Sequence, residues 1–274
     1  MKKRILDNYS AEAELNRLKD IATRVFSLKI GSVIKSGSEA NMVGIRSKTL
    51  LVSHRIDSRT FIIHDENYGV GKRAGYFKGA DKEQFMMCRQ ILTGLNIPLS
   101  EVKGGTVLVE NLQAAHIDRE NGQIHIERAK QGRKTVKLSR KIKGVNVWSS
   151  NLVLGLTRLK QVGFMQLHWP EIPKWVIDEA LRMQYEIEHG WRPSNQPQAE
   201  IESIEAGIVH SPAIGLIMDI YPSIRVIYSS LNKGIGKKQV LHLDRHGRPI
   251  PIPRQAVLPI ESYQQREAMQ RPKP

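Results

Sequence analysis

An α+β architecture, with helices laid on antiparallel sheet, is what this 274-residue chain predicts. Three observations carry that reading. Apolar residues recur with helical spacing in only three stretches. Between those stretches the period drops to two, as in half-buried strands. Each helical stretch is followed by several strands, where a doubly wound parallel sheet would alternate helices with single strands.

The first helix is expected over residues 11–26, with Ser10 as N-cap, Glu12 and Glu14 at its positive end, and Leu15, Leu18, Ala22 and Val25 as the buried stripe. Short strands fill 29–64, broken by Gly37, Gly44 and polar turns. The second helix covers 82–95, where Asp81 and Gln84 have the spacing of a capping pair and Phe85, Cys88, Leu92 and Leu95 share a face. Strands follow at 106–117, 123–127, 134–142, 146–157 and 162–169, with the Asn121-Gly122 pair marking a hairpin. The third helix, 174–189, opens after Pro173 and stops before Gly190, with Val176, Ala180, Met183 and Ile187 on one side. Strands at 199–209, 215–228 (bent at Pro222) and 238–243 complete the pattern. Prolines 249, 251 and 253 favour polyproline II or an edge-lying extended segment, since they donate no ladder hydrogen bonds.

The helix-then-strands order suggests four parts: 1–79, a helix plus short strands; 80–170 and 171–255, two helix-plus-sheet units; and 256–274, a flexible tail. At 40% hydrophobic and 25% charged residues the chain is that of an ordinary globular protein, not a disordered one. Its net charge of +15 is unusual and favours polyanionic or acidic partners. Cys88 is the single cysteine, so no intrachain disulfide forms. No signal-peptide core or membrane-length apolar run stands out, which predicts a cytoplasmic protein with no membrane span.

The densest positive charge lies between Glu127 and Lys143. Read as a strand, Val136, Leu138 and Ile142 face the core, while Arg133, Thr135, Lys137, Ser139, Lys141 and Lys143 face away. Such a row is able to follow a phosphate backbone, and Trp148 is the one aromatic close enough to stack on a base. Arg133, Lys137, Lys141, Lys143 and Trp148 are therefore the candidate polyanion- or partner-binding residues. Residues 171–205, with eight acids against three Lys/Arg, offer that row an internal neutralising partner, chiefly Glu200, Glu202 and Glu205.

Chemistry-bearing motifs are otherwise weak. The Gly-rich runs 69–75 and 234–238 lack the Ser or Thr of a phosphate-binding loop and read as turns. His242, Asp244 and His246 are too far apart on a strand to share a metal. Cys88 reads as a small core residue, and no nucleophile elbow is present. Trp169, Trp175 and Trp191, which bracket the third helix, read as packing rather than a cleft. These residues predict no catalytic centre, no metal and no cofactor, and they lean away from an enzyme.

The run Lys141-Ile142-Lys143-Gly144-Val145-Asn146-Val147-Trp148, continued by Ser149-Ser150-Asn151-Leu152-Val153-Leu154-Gly155-Leu156, resembles the strand–turn–strand pattern of PepSY and FTP-type propeptide modules, with Asn146 where a proline is usual. The resemblance covers roughly 80–170, with a weaker echo in 172–250. It implies cystatin-like helix-on-sheet units, non-catalytic modulation of peptidases or other protein binding, and no catalytic residues. The expected function is therefore non-catalytic macromolecule binding, through a sheet face or edge, with a protein as partner. Sequence-tolerant nucleic-acid binding through 133–143 is the alternative. Partner identity and oligomeric state stay open.

Overall fold

The computed structural model describes residues 8–26, 28, 35–39, 42–56, 59–69, 75–118, 122–193, 200–210, 219–232 and 235–250. The tail expected at 256–274 and residues 70–74 of the first Gly-rich run lie outside these residues, whereas 235–238 of the second run form the start of a strand and not a turn.

The chain is an α+β protein, with three α-helices among the described residues and a large, mostly antiparallel sheet. Helix α1 (Asn8–Arg24) precedes a four-strand meander of β1 (Lys35–Glu39), β2 (Met42–Arg46), β3 (Leu50–Arg55) and β4 (Thr60–Asp65). Helix α2 (Asp81–Gly94) leads into β5 (Val102–Leu112), the ribbon β6 (Ala115–Ile117) and β7 (Ile124–Ile126), then β8 (Lys130–Ile142), β9 (Val145–Leu156) and β10 (Val162–His168). Helix α3 (Lys174–Glu188) precedes β11 (Glu200–His210), β12 (Ile220–Asn232) and β13 (Ile235–Leu243). The eleven-stranded sheet runs β1-β2-β3-β4-β10-β9-β11-β12-β13, with β8 also on β9 and β5 on β8. Thus β4 pairs β10 and β11 pairs β9, and the strands behind all three helices join one sheet.

The apolar stripes explain where the helices sit. Leu18, Ala22 and Phe26 pack with Val43, Val52 and Ile63, and Cys88, Ile91 and Leu92 of α2 join Val136, Leu138, Leu152 and Leu154 in the same cluster. On α3, Val176 and Ala180 meet Val145, Val147 and Ile208, while Met183 meets Ile224 and Val226. Burying that much aliphatic surface is the main stabilising term of such a layer.

Local details depart from the sequence reading. Ser10 lies inside α1, which begins at Asn8. Ala80, not Asp81, is the N-cap of α2, and Gln84 points inward, donating to the Lys134 carbonyl at 3.1 Å. Gly37 and Gly44 do not break strands: they are cross-strand partners within β1 and β2. Pro222 sits within β12 opposite Ile208, and the expected strand segment 215–218 is outside the described residues. Gly190 does take a left-handed conformation, φ 98°, just past α3, where glycine avoids the Cβ clash.

One irregularity shapes the centre. Arg140 pairs with Val147 and Ser139 with Asn151, so Trp148, Ser149 and Ser150 of β9 have no partners on β8. Core-facing residues of β9 therefore switch from odd (Val145, Val147) to even (Leu152, Leu154, Leu156) across this bulge. On its other edge, β9 pairs with β11 in parallel at Asn146 and Val147, then with β10 from Asn151 onward. The sheet forks there.

Candidate functional site

The basic strand is largely used by the fold. Its even residues face the helices, and two of them are cations. Lys134 reaches the Gly79 carbonyl at 2.8 Å and pairs with Asp81. Arg140, 5% exposed, donates to Glu101 Oε2 at 2.8 Å and to the Pro170 carbonyl at 2.6 Å, with its guanidinium 5.2 Å from the Trp169 ring centre. Trp169 Nε1 donates to the same Glu101 oxygen at 3.0 Å. Burial lowers the Arg140 pKa, and Glu101 opposes that shift.

The expected outward row is thinner than its sequence. Arg133 is partly buried, held by Glu110 and lying 5.9 Å from the Phe164 ring centre. Thr135 is buried. Lys137 and Lys141 are exposed, and Lys143 is exposed in the turn, where it takes a positive φ of 48°. The acids holding the strand's charge are Glu127, Glu110, Asp81 and Glu101, from nearby elements. Glu205 holds Arg225 instead, at 2.6 Å.

Trp148 does not stand beside the lysines as a free stacking platform. Gly207 lies against its ring, so closely that a Cβ there would fall 2.6 Å from it. The Arg225 guanidinium covers the ring at 4.7 Å and His242 meets it edge-on at 5.1 Å. His242 also lies 3.2 Å from Ser223 Oγ, and burial followed by Arg225 pushes its pKa down to about 4. The β13 strand ends at Leu243, and Asp244 accepts from the His246 and Arg248 backbone N–H groups in the following turn. Among the described residues no three His, Cys, Asp or Glu side chains converge as a metal site.

The fork holds a polar cluster that strand periodicity did not announce. His168 ends β10 and His210 ends β11, and their rings meet with Nε2 to Nδ1 at 3.0 Å. Thr60 Oγ1 lies 2.7 Å from His168 Nδ1, and Ser149 Oγ, from the bulge, accepts the His210 backbone N–H at 2.7 Å. The chain is satisfied in either direction, with Thr60 donating to His168 and His168 Nε2–H to His210 Nδ1, or with both bonds reversed. In both, His210 Nε2 has no partner among the described residues. Burial is the leading cause that lowers His168 to about 4 and His210 to about 3, with Arg140 adding to both. Both rings are neutral near pH 7, and the cluster plugs the fork with hydrogen bonds where β10 and β11 diverge. Only pairing of the two strand ends, invisible in sequence, reveals it.

Trp169 is buried, Trp191 is partly buried with its Nε1 donating to the Arg245 carbonyl at 3.0 Å, and Trp175 is 61% exposed. Cys88 is fully buried, and desolvation pushes its thiol up to about 12.

The most exposed apolar surface lies elsewhere. No residue of β5 is buried, and among the described residues β5 pairs only with β8. Leu108, Val109 and Leu112 are 51%, 48% and 39% exposed. The ribbon continues this surface: Ile117 faces Ile124 and Ala115 faces Ile126 across the strands, and all three isoleucines are about two-thirds exposed. No helix among the described residues is long and apolar enough to cross a membrane.

No known protein family matches the sequence, and no curated protein does. The structure is similar to the crystal structure of an uncharacterized protein from Eubacterium rectale, at 12% identity and a TM-score of 0.46, over 88% of this chain and 82% of that one. A likeness of that degree carries nothing about chemistry.

Proposed function

We propose that this protein is a non-catalytic binding protein that recognises an extended segment of another protein along the edge strand β5. The observation that carries the reading is that edge itself: eleven residues, hydrogen-bonded among the described residues to β8 alone, with aliphatic side chains exposed and no buried residue. An edge offers unpaired N–H and C=O groups to an added strand, and alternate side chains give it specificity. The ribbon's exposed isoleucines extend the apolar surface beyond what isolated leucines explain. Lys103 and Lys137 flank the edge, so the fitting partner alternates aliphatic with acidic residues. The resemblance to propeptide modules points the same way.

The nucleic-acid alternative has less support. Of the five candidate residues only Lys137, Lys141 and Lys143 are exposed cations, and Arg225 covers Trp148. A random peptide library panned on the full chain tests the proposal. Enriched peptides should alternate aliphatic and acidic residues, and a Leu108→Ser/Val109→Ser variant, which removes aliphatic surface without changing charge, should bind them at least ~10-fold more weakly. In parallel, anisotropy titrations with DNA and RNA at two salt concentrations use a Lys137/Lys141/Lys143→Glu variant. Peptide binding indifferent to the β5 change would sink the edge reading. Nucleic-acid binding that collapses with salt and in the lysine variant would replace it.

A further inference from the structure

Independently of the edge strand, α1, the β3–β4 hairpin and the end of α2 enclose a cleft of about 510 Å³. That volume falls within the range of small-molecule sites. Its floor is apolar, with Ile21, Ile56, Phe61 and Leu95. Its rim is guanidinium-rich: Arg17, Arg24 and Arg59 against Asp20 and Glu171. His54 also lines it, 5% exposed and stacked on Phe61 with centroids 3.9 Å apart.

We propose that this cleft binds a small organic carboxylate with an aromatic or branched apolar body. The body lies on Ile21, Phe61 and the His54 ring, and the carboxylate reaches Arg17 and Arg59. The charge balance of the rim supports this. Arg24 is committed to Asp20 at 2.6 Å, within α1. Among the described residues Arg17 has a single long contact, to Glu14 at 3.5 Å. Arg59 is held by Glu171, but the two side chains are 47% and 77% exposed, and such surface pairs are weak and replaceable. A ligand carboxylate desolvated against an apolar floor offers Arg59 a better acceptor than the exposed Glu171. The end of α2 does not oppose it strongly, because the Ile91, Leu92 and Thr93 carbonyls already accept from Leu95, Ile97 and Asn96. Burial, then Arg17 and Arg59, push His54 down to about 4, so a neutral ring faces the ligand. A neutral imidazole donates from one nitrogen and accepts at the other, which suits a second polar atom on the ligand.

Titration calorimetry with three probes of one shape tests the inference: naphthoate, naphthylmethanol and naphthylmethylamine. Naphthoate should bind about 10-fold more tightly than the alcohol, the worth of one charge-assisted hydrogen bond, and the amine should bind weakest. Arg59→Ala should erase the preference for naphthoate. Glu171→Gln, which removes the internal competitor, should tighten naphthoate several-fold, about the effect of freeing one surface ion pair. Glu66→Gln is the control: it makes the same change of charge at the Arg46–Glu66 pair, away from the cleft, and should alter nothing. Circular dichroism confirms that each variant is folded. No binding at millimolar naphthoate, equal binding of the alcohol or amine, or equal effects of Glu66→Gln and Glu171→Gln would each overturn the proposal.

Discussion

Replacing Glu101 by alanine isolates the consequence of placing an arginine in the core. The Arg140 side chain is 5% exposed and that of Glu101 is 23% exposed, so little water screens the pair. Glu101 Oε2 accepts from both Arg140 Nε and Trp169 Nε1. Its loss leaves Arg140 with the Pro170 carbonyl and the Trp169 face, and leaves the indole N–H without its acceptor. Stripping one partner from a buried pair costs about 3–5 kcal/mol, because the remaining charge stays desolvated. At roughly 2–4 °C per kcal/mol for a domain of this size, the melting temperature should fall by about 6–20 °C. Removing both charges is a different perturbation. A Glu101→Leu/Arg140→Met double variant replaces the pair with apolar side chains and should recover most of that loss, since such replacements are often neutral. Chemical denaturation of the single and double variants at constant pH reads both quantities. A Glu101→Ala loss below about 1 kcal/mol would mean that water or the Pro170 carbonyl suffices for Arg140, and a double variant as unstable as the single would place the cost in lost packing. Either result refutes the electrostatic account.

Two further expectations concern the fork and one glycine at the opposite end of β10. His168 and His210 titrate near 4 and 3 in the fold but near 6.5 when unfolded, so between those values the unfolded chain binds more protons. Stability is therefore full above about pH 6.5 and falls as the pH drops toward 4, by at most about 1.4 kcal/mol per pH unit for each histidine; denaturation midpoints of the protein and of His168→Gln between pH 4 and 7 should show the shallower slope in the variant, and parallel curves would refute the assignment. Gly163→Ala places a Cβ 2.4 Å from Tyr68 Cδ2 and should cost roughly 1–3 kcal/mol by overpacking, with much of the cost absent in a Tyr68→Ala background; additive losses in the double variant would show that the ring is not the obstacle.

What the sequence determined by itself was everything governed by local periodicity and local backbone preference. The stripe Val176, Ala180, Met183 is buried on α3, and Gly190 closes that helix in a left-handed conformation, since both follow from spacing along one segment. The strands of β8 and β9 and the hairpin joining β6 to β7 were legible for the same reason. Alternation along β8 also placed Val136, Leu138 and Ile142 in the core. Tertiary structure alone decided the sites. Lys134 and Arg140 share the core-facing parity of β8, and only Asp81, Glu101 and a tryptophan brought in from elsewhere make their burial tolerable. The three-residue bulge at Trp148–Ser150 has no signature of its own, yet it splits the edge of β9 between β10 and β11 and brings His168 to His210. The same holds for the cleft, whose wall comes from two helices and a hairpin far apart in sequence. Periodicity reports which way a side chain points from its own backbone, whereas partners across a sheet depend on register and strand order, which no single segment encodes.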